Sequence, residues 1–162
     1  MLNSTYKVQD LQEFKPFLLS KKRIMGLDLG KKRIGVSVST LSLNGALPLK
    51  TISENKFSEL LNLLKKIVHE YDIKGIIFGL PKNMDGSEGK SAQSARDKAD
   101  KICSELCIKY GFWDERLSTI AVERNFATNK KSRAKKKDHK KDIDNLAAAF
   151  ILEGAINYII NN

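Results

Sequence analysis

Histidine, cysteine and long apolar runs are all scarce in this 162-residue chain, and each scarcity narrows the chemistry open to it. There are two histidines and two cysteines. His69 falls in an amphipathic stretch and His139 among lysines, so neither is placed as half of a metal pair, and both read as surface residues. Cys103 and Cys107 stand four apart in a helical pattern with no other cysteine to complete a zinc quartet. They read as small, reduced core residues, which points to the cytosol. No run reaches the ~18 apolar residues of a membrane span. Residues 1–22 lack the apolar core and small-residue cleavage site of a signal peptide. Acid is also in short supply: 19 Asp+Glu stand against 29 Lys+Arg, for a net charge of +10. That imbalance favours polyanionic partners through counterion release, and it equally describes a well-solvated surface.

The length fits one domain with one core. Residues 1–22 show weak periodicity and are set apart as an N-terminal extension, packed on or trailing from a domain over 23–162. Apolar runs predict strands over 23–29, 33–39 and 47–52, joined by turn residues into an antiparallel meander. Phe57, Leu60, Leu61, Leu63, Leu64, Ile67 and Val68 form a helical stripe. The run from Gly75 to Leu80 is continuous and apolar, as in a strand covered on both faces. Ala92, Ala95, Ala99, Ile102, Cys103, Leu106 and Tyr110 mark one face of a long helix, and Phe112-Trp113 opens a last strand ending in Asp114-Glu115-Arg116. Ser118 is placed as the N-cap of a further helix, and a closing helix runs from about Asp142 to Ile160. This order predicts an α/β fold with a five-stranded mixed sheet flanked by helices. Right-handed crossovers set the fourth and fifth strands parallel to the first, with the ends of strands one and four side by side.

Three acidic positions stand out in that frame. Asp28 sits in the middle of an otherwise apolar strand, where a lone charge costs several kcal/mol unless compensated; the plainer alternative is a carboxylate that caps the Gly30–Arg33 turn. Asp114 and Glu115 alternate on a strand, so only one faces a shared site, and sequence leaves open which; an ion pair with Arg116 is the bland role. Asp144 begins a helical face of small residues, Ala147, Ala148, Ile151 and Ala155, and its bland role is to complement the helix N-terminus. Three carboxylates converging on one sheet edge would repel unless cations join them. Hard oxygen donors select Mg²⁺ or Mn²⁺, and two such ions can activate water for phosphodiester cleavage.

Residues that could hold phosphate flank these acids. The loop after the central strand, Pro81-Lys82-Asn83-Met84-Asp85-Gly86, offers the Lys82 ammonium, the Asn83 amide and backbone N–H groups. Residues 130–141 carry eight Lys or Arg in twelve positions, Lys135, Lys136 and Lys137 among them, with no apolar face. This stretch reads as a phosphate-contacting arm or, more simply, as a solvated charge run. Lys31 in the first turn and Arg116 complete the candidate nucleic-acid contacts.

Four segments in order resemble the YqgF/RuvX family, also described as pre-16S rRNA nucleases or Holliday-junction-resolvase-like proteins. They are Gly26–Ser39, Gly79–Glu88, Asp114–Thr119 and Ile143–Glu153. The resemblance covers residues 23–155 and implies a ribonuclease H-like fold. It also implies a metal-dependent nuclease maturing the 5′ end of 16S rRNA, with Asp28, the Asp114-Glu115 pair and Asp144 in the acidic roles. Asp28, Glu115 and Asp144 are then the metal ligands. Residues 1–22 fall outside that pattern, and the segment before Asp144 is unusually rich in lysine. Two other readings stand beside it: a resolvase acting on four-way DNA, for which a dimer would speak, and a non-catalytic RNA-binding assembly factor. Asp28-Leu29-Gly30 also resembles the first phosphate motif of actin-like ATPases, which need two such domains where this chain supplies one.

Overall fold

Two strands joined by a tight turn lie near the centre of the sheet. β1 (Arg23–Leu29) pairs antiparallel with β2 (Ile34–Ser39), and Asp28 stands opposite Gly35. Gly30 closes the turn because there is no room for more: a β-carbon there would collide with the Arg33 carbonyl oxygen. Residues 5–42, 44–53, 55–117 and 139–162 are described by this computed structural model, the side chains of 139–145 excepted.

β3 (Ala46–Ile52) continues the meander on β2, while β4 (Ile73–Leu80) and β5 (Lys109–Asp114) add parallel strands on the other side of β1. The sheet is five-stranded and mixed, in the order β3-β2-β1-β4-β5, as the alternation of strands and helices predicts. One face is covered by α2 (Phe57–Glu70) and α3 (Lys90–Leu106) over Met25, Leu27, Ile76 and Phe78. The other is covered by α4 (His139–Asn161), whose Ile151, Leu152 and Ile156 meet Ile24 and Ile77. Neighbours in β4 therefore point to opposite cores, which is why its sequence is continuously apolar.

α4 lies very close to the sheet. A β-carbon at Gly26 would stand 2.7 Å from Leu152 Cβ and 3.0 Å from the Ala148 carbonyl, so only glycine lets the helix settle there. The buried Ser37 hydroxyl donates to that same carbonyl at 2.7 Å, tying β2 to α4. Of the small residues expected on this face, Ala148 and Ala155 are buried and Ala147 is half-buried.

Residues 5–22 are packed on the sheet. Val8 N–H donates to the Tyr110 carbonyl and Tyr110 N–H to the Tyr6 carbonyl, so the segment shields the open edge of β5. An Asp10–Glu13 capping box starts a 3-10 turn, Leu11–Phe14, that runs into α1 (Lys15–Leu19). Phe14 and Leu18 are fully buried, and the Phe14 ring fills the space above Gly75 and Gly111.

Several sequence expectations need correction. Asp28 is the second-last residue of β1 and half-buried, not mid-strand. Tyr110 lies in β5 rather than on α3, because Cys107 turns left-handed (φ 51°) and ends the helix. Cys103 is buried as expected, whereas Cys107 is exposed at that turn. The chain is already helical at 115–117, and Ser118 lies outside the described residues. α4 starts at His139, three residues ahead of Asp142. Among the described residues no helix is long and apolar enough to cross a membrane.

Candidate active site

Strand alternation sends Asp28 to the same side of β1 as Gly26, the side that α4 covers. Glu115 reaches that side from β5. The chain leaves the strand at Asp114 and turns helical, which swings the Glu115 side chain back over Gly79 of β4. A β-carbon at Gly79 would stand 2.5 Å from Glu115 Oε1 and 2.6 Å from Ile151 Cδ1.

Asp28 and Glu115 line one cleft of about 650 Å³, together with Gly30, Lys31, Pro81 and the first half of α3. Burial pushes the Glu115 carboxyl up to about 7, and the charges of Asp28 and then Asp114 add to the effect. A half-buried carboxyl raised by burial and by the charge of a second carboxylate in the same cleft is the arrangement a hard cation relieves. The donor set thus fits Mg²⁺ or Mn²⁺. Among the described residues no cluster of three metal-ligating side chains forms. Asp144 lies one helical turn before Ala148, which sits against Gly26, but its side chain is outside the described residues.

Asp114 is engaged elsewhere. Arg116 donates to it through Nε (3.0 Å), a terminal guanidinium nitrogen (2.7 Å) and the backbone N–H (3.0 Å), and this holds its carboxyl below the usual range. The ion-pair role considered for Asp114 is therefore the one observed, and it is Glu115 that lines the cleft. The other terminal nitrogen of Arg116 donates to the Met84 carbonyl at 3.3 Å, linking β5 to the loop over 81–89. Asn83 closes that loop on itself: its backbone N–H donates to the Ser87 carbonyl and its amide to the Ser87 hydroxyl. Lys82 leans on Glu88 at 3.8 Å, and Glu88 accepts two hydrogen bonds from Arg96, which stacks on Phe112.

Of the residues singled out by sequence, Asp28, Glu115 and Lys31 are therefore brought to one cleft. Lys82, Asn83, Arg116 and Asp114 form a brace beside it. Lys135, Lys136 and Lys137 lie outside the described residues. Lys90, Ser94 and Lys98 were missed, although they line the cleft and their spacing of four was legible in the sequence.

Comparison with known proteins places this geometry in a family. The sequence pattern of "RuvX: Holliday junction resolvase" matches residues 22–158. A protein of Pelagibacter ubique named "Putative pre-16S rRNA nuclease" is 43% identical over 151 residues, 93% of this chain and 98% of its own. One of the same name from Roseobacter denitrificans is 43% identical over 156 residues, 94% of this chain and 93% of its own. Both alignments reach into residues 1–22, which the sequence motifs leave outside the shared pattern. Among solved structures, T. thermophilus RuvC in complex with Holliday junction substrate superposes with a TM-score of 0.56 at 12% identity, over 87% of this chain and 97% of that one. The yeast mitochondrial Holliday junction resolvase Ydc2 does so at 0.53 and 12%, over 91% and 85%. These two share the ribonuclease H-like fold and too little sequence to carry more. On the family match and the relatives' identity, the chain belongs to the RuvX family of resolvase-like nucleases.

Proposed function

We propose that this chain hydrolyses phosphodiester bonds in a pre-16S rRNA, at the 5′ end of the mature sequence, as a cytoplasmic Mg²⁺- or Mn²⁺-dependent nuclease. The observation that carries the reading is the pairing of Asp28 with Glu115 in one half-buried cleft, where burial and then the Asp28 charge raise the Glu115 carboxyl. Asp28, Glu115 and Asp144 would hold the divalent ion, which when bound supplies an activated water and charge stabilisation at the leaving oxygen. Asp28 is held on a sheet strand and Glu115 on the helical turn after one, so their positions are fixed before substrate arrives. Lys31 brings positive charge to the mouth of the cleft for the phosphate backbone. Lys82 and Arg116, the latter with Asp114, keep the neighbouring loop in place, and Lys135–Lys137 would add charge along the incoming strand.

The test is Mg²⁺-dependent cleavage of a 16S precursor end by the unmutated protein and by Asp28→Asn. The variant is expected to lose at least ~100-fold in rate, the scale on which removal of one preorganised electrostatic group is felt. Equal cleavage by both proteins would remove Asp28 from the reaction, and RNA binding with no cleavage by either would leave an assembly factor. The family's description favours a second substrate, a four-way DNA junction. Offering such a junction in the same assay separates the two readings.

A further inference from the structure

The second wall of the cleft is α3. Its Ala92, Ala95, Ala99 and Ile102 face the core, and Lys90, Ser94 and Lys98 recur at i, i+4 and i+8 on another face. These three line the cleft that holds Asp28 and Glu115. The same three line a second depression of about 530 Å³, which continues past Lys101 to the Phe57 ring at the start of α2. The two hollows thus adjoin along α3, one holding the carboxylate pair and the other reaching Phe57, with Lys90, Ser94 and Lys98 common to both. From Lys90 to Lys101 the helix rises ~16 Å, long enough to meet several successive phosphates.

The charge along this face of α3 is largely uncommitted. Among the described residues no acidic side chain pairs with Lys90 or Lys98. Lys101 rests its ammonium over the Phe57 ring at 4.3 Å, which leaves its charge available. The acid on the rim, Asp97, accepts a hydrogen bond from Gln93 at 2.8 Å. Ser94 stands exposed between the lysines, small enough to let a backbone lie close.

We propose that this face of α3 is the track for the substrate strand: a single-stranded nucleic-acid backbone runs from the Asp28–Glu115 cleft across Lys90, Ser94 and Lys98 toward Lys101 and Phe57. The proposal rests on the nuclease reading, since the carboxylate pair fixes where the track begins. It assigns binding work to residues outside the four motif segments and outside the lysine-dense stretch over 130–141.

The experiment is fluorescence anisotropy with a short labelled single-stranded RNA, titrated with salt. Asp28→Asn protein without divalent metal is used, so binding is read with no cleavage. Adding Lys90→Gln and Lys98→Gln should weaken binding several-fold and lower the slope of log affinity against log salt by about 1.4, at ~0.7 for each phosphate no longer neutralised on a single strand. Lys65→Gln with Lys66→Gln removes the same charge from the exposed side of α2 and should leave the slope nearly unchanged. Ser94→Glu, which places a like charge in the middle of the track, should weaken binding while leaving the thermal melt in place. An unchanged slope in the α3 double, or equal losses in both doubles, overturns the track. If the unmutated protein cleaves nothing while the α3 double still loses affinity, the nuclease reading fails and the binding face stands.

Discussion

The Glu115 carboxylate lies in the space above Gly79 that any side chain at that position would occupy. β4 therefore contributes to the cleft by having no side chain there. Gly79→Ala would push a methyl group against Glu115 Oε1 and Ile151 Cδ1 together, and because both are side-chain ends the clash is relieved by turning the Glu115 carboxylate out of this position. We expect Gly79→Ala to lower Mg²⁺-dependent cleavage by roughly 10- to 100-fold, as for loss of a group that orients a metal ligand. Apparent Mg²⁺ affinity should fall with it. Ile151→Val, which trims the other neighbour, should soften the clash, so the double variant should recover part of the activity. Full activity in Gly79→Ala would show that Glu115 need not occupy this position.

A second expectation concerns acid. Asp72 sits in the turn before β4 between Lys22 (2.7 Å) and Lys74 (2.6 Å), and hydrogen bonds from both ammonium groups lower its carboxyl from 3.8 to about 2. A carboxyl with a depressed folded value gives stability above the unfolded value, and that stability is lost as pH falls through the folded one. The melting-temperature difference between the unmutated protein and Asp72→Asn should therefore be constant above about pH 5 and shrink toward pH 2. Both lysines are exposed, so the effect is small and should fade in high salt. Asn suits the position because Asp72 has φ 51°, a conformation Asn tolerates well. A difference that grows on acidification would show that these pairs do not stabilise the fold.

The legible and illegible parts of this chain divide by cause. β1 is found at 23–29, as its run of apolar residues before a glycine turn requires, and the mixed sheet follows from strand order. Tyr110 misleads because it stands four residues after Leu106, a helical spacing, while the left-handed turn at Cys107 that ends α3 carries no periodic signal. The choice between Asp114 and Glu115 is beyond alternation, since the backbone changes from strand to helix between them. Lys90 and Lys98 pass unnoticed because the alanine stripe dominates the pattern of α3. Whether residues 5–22 pack on the domain or trail from it is illegible because their elements are one turn long, too short for any period to emerge.

That N-terminal segment gives a third expectation. Phe14 is fully buried, and its ring covers the two glycines, Gly75 in β4 and Gly111 in β5, that leave room for it. Phe14→Ala should cost about 3–5 kcal/mol, the usual range for emptying a buried phenylalanine site. A chain starting at residue 22 would lose Val8, Phe14 and Leu18 from the core and uncover the β5 edge. It should express as aggregate or melt far below the intact protein. A truncated chain with an unchanged melt would mean that 1–22 is dispensable to the fold.

Arg116 supports two competing accounts, and they differ in what they predict. Its guanidinium grips Asp114 and reaches the Met84 carbonyl, beside Gly86, which takes φ 88° to complete the loop. If the residue is a brace, Arg116→Ala should raise amide hydrogen exchange across residues 82–88 and return the Asp114 carboxyl toward its ordinary value. The salt dependence of RNA binding should stay as it was. If Arg116 instead releases Asp114 and takes a phosphate, the salt slope should fall by ~0.7 and exchange should change little. The fork geometry sharpens the test. A lysine ammonium cannot donate along two edges at once, so Arg116→Lys should behave like the alanine variant in exchange under the brace account. Under the phosphate account it should keep the salt slope. The bidentate grip on a half-buried carboxylate is the stronger of the two interactions, and we expect the brace.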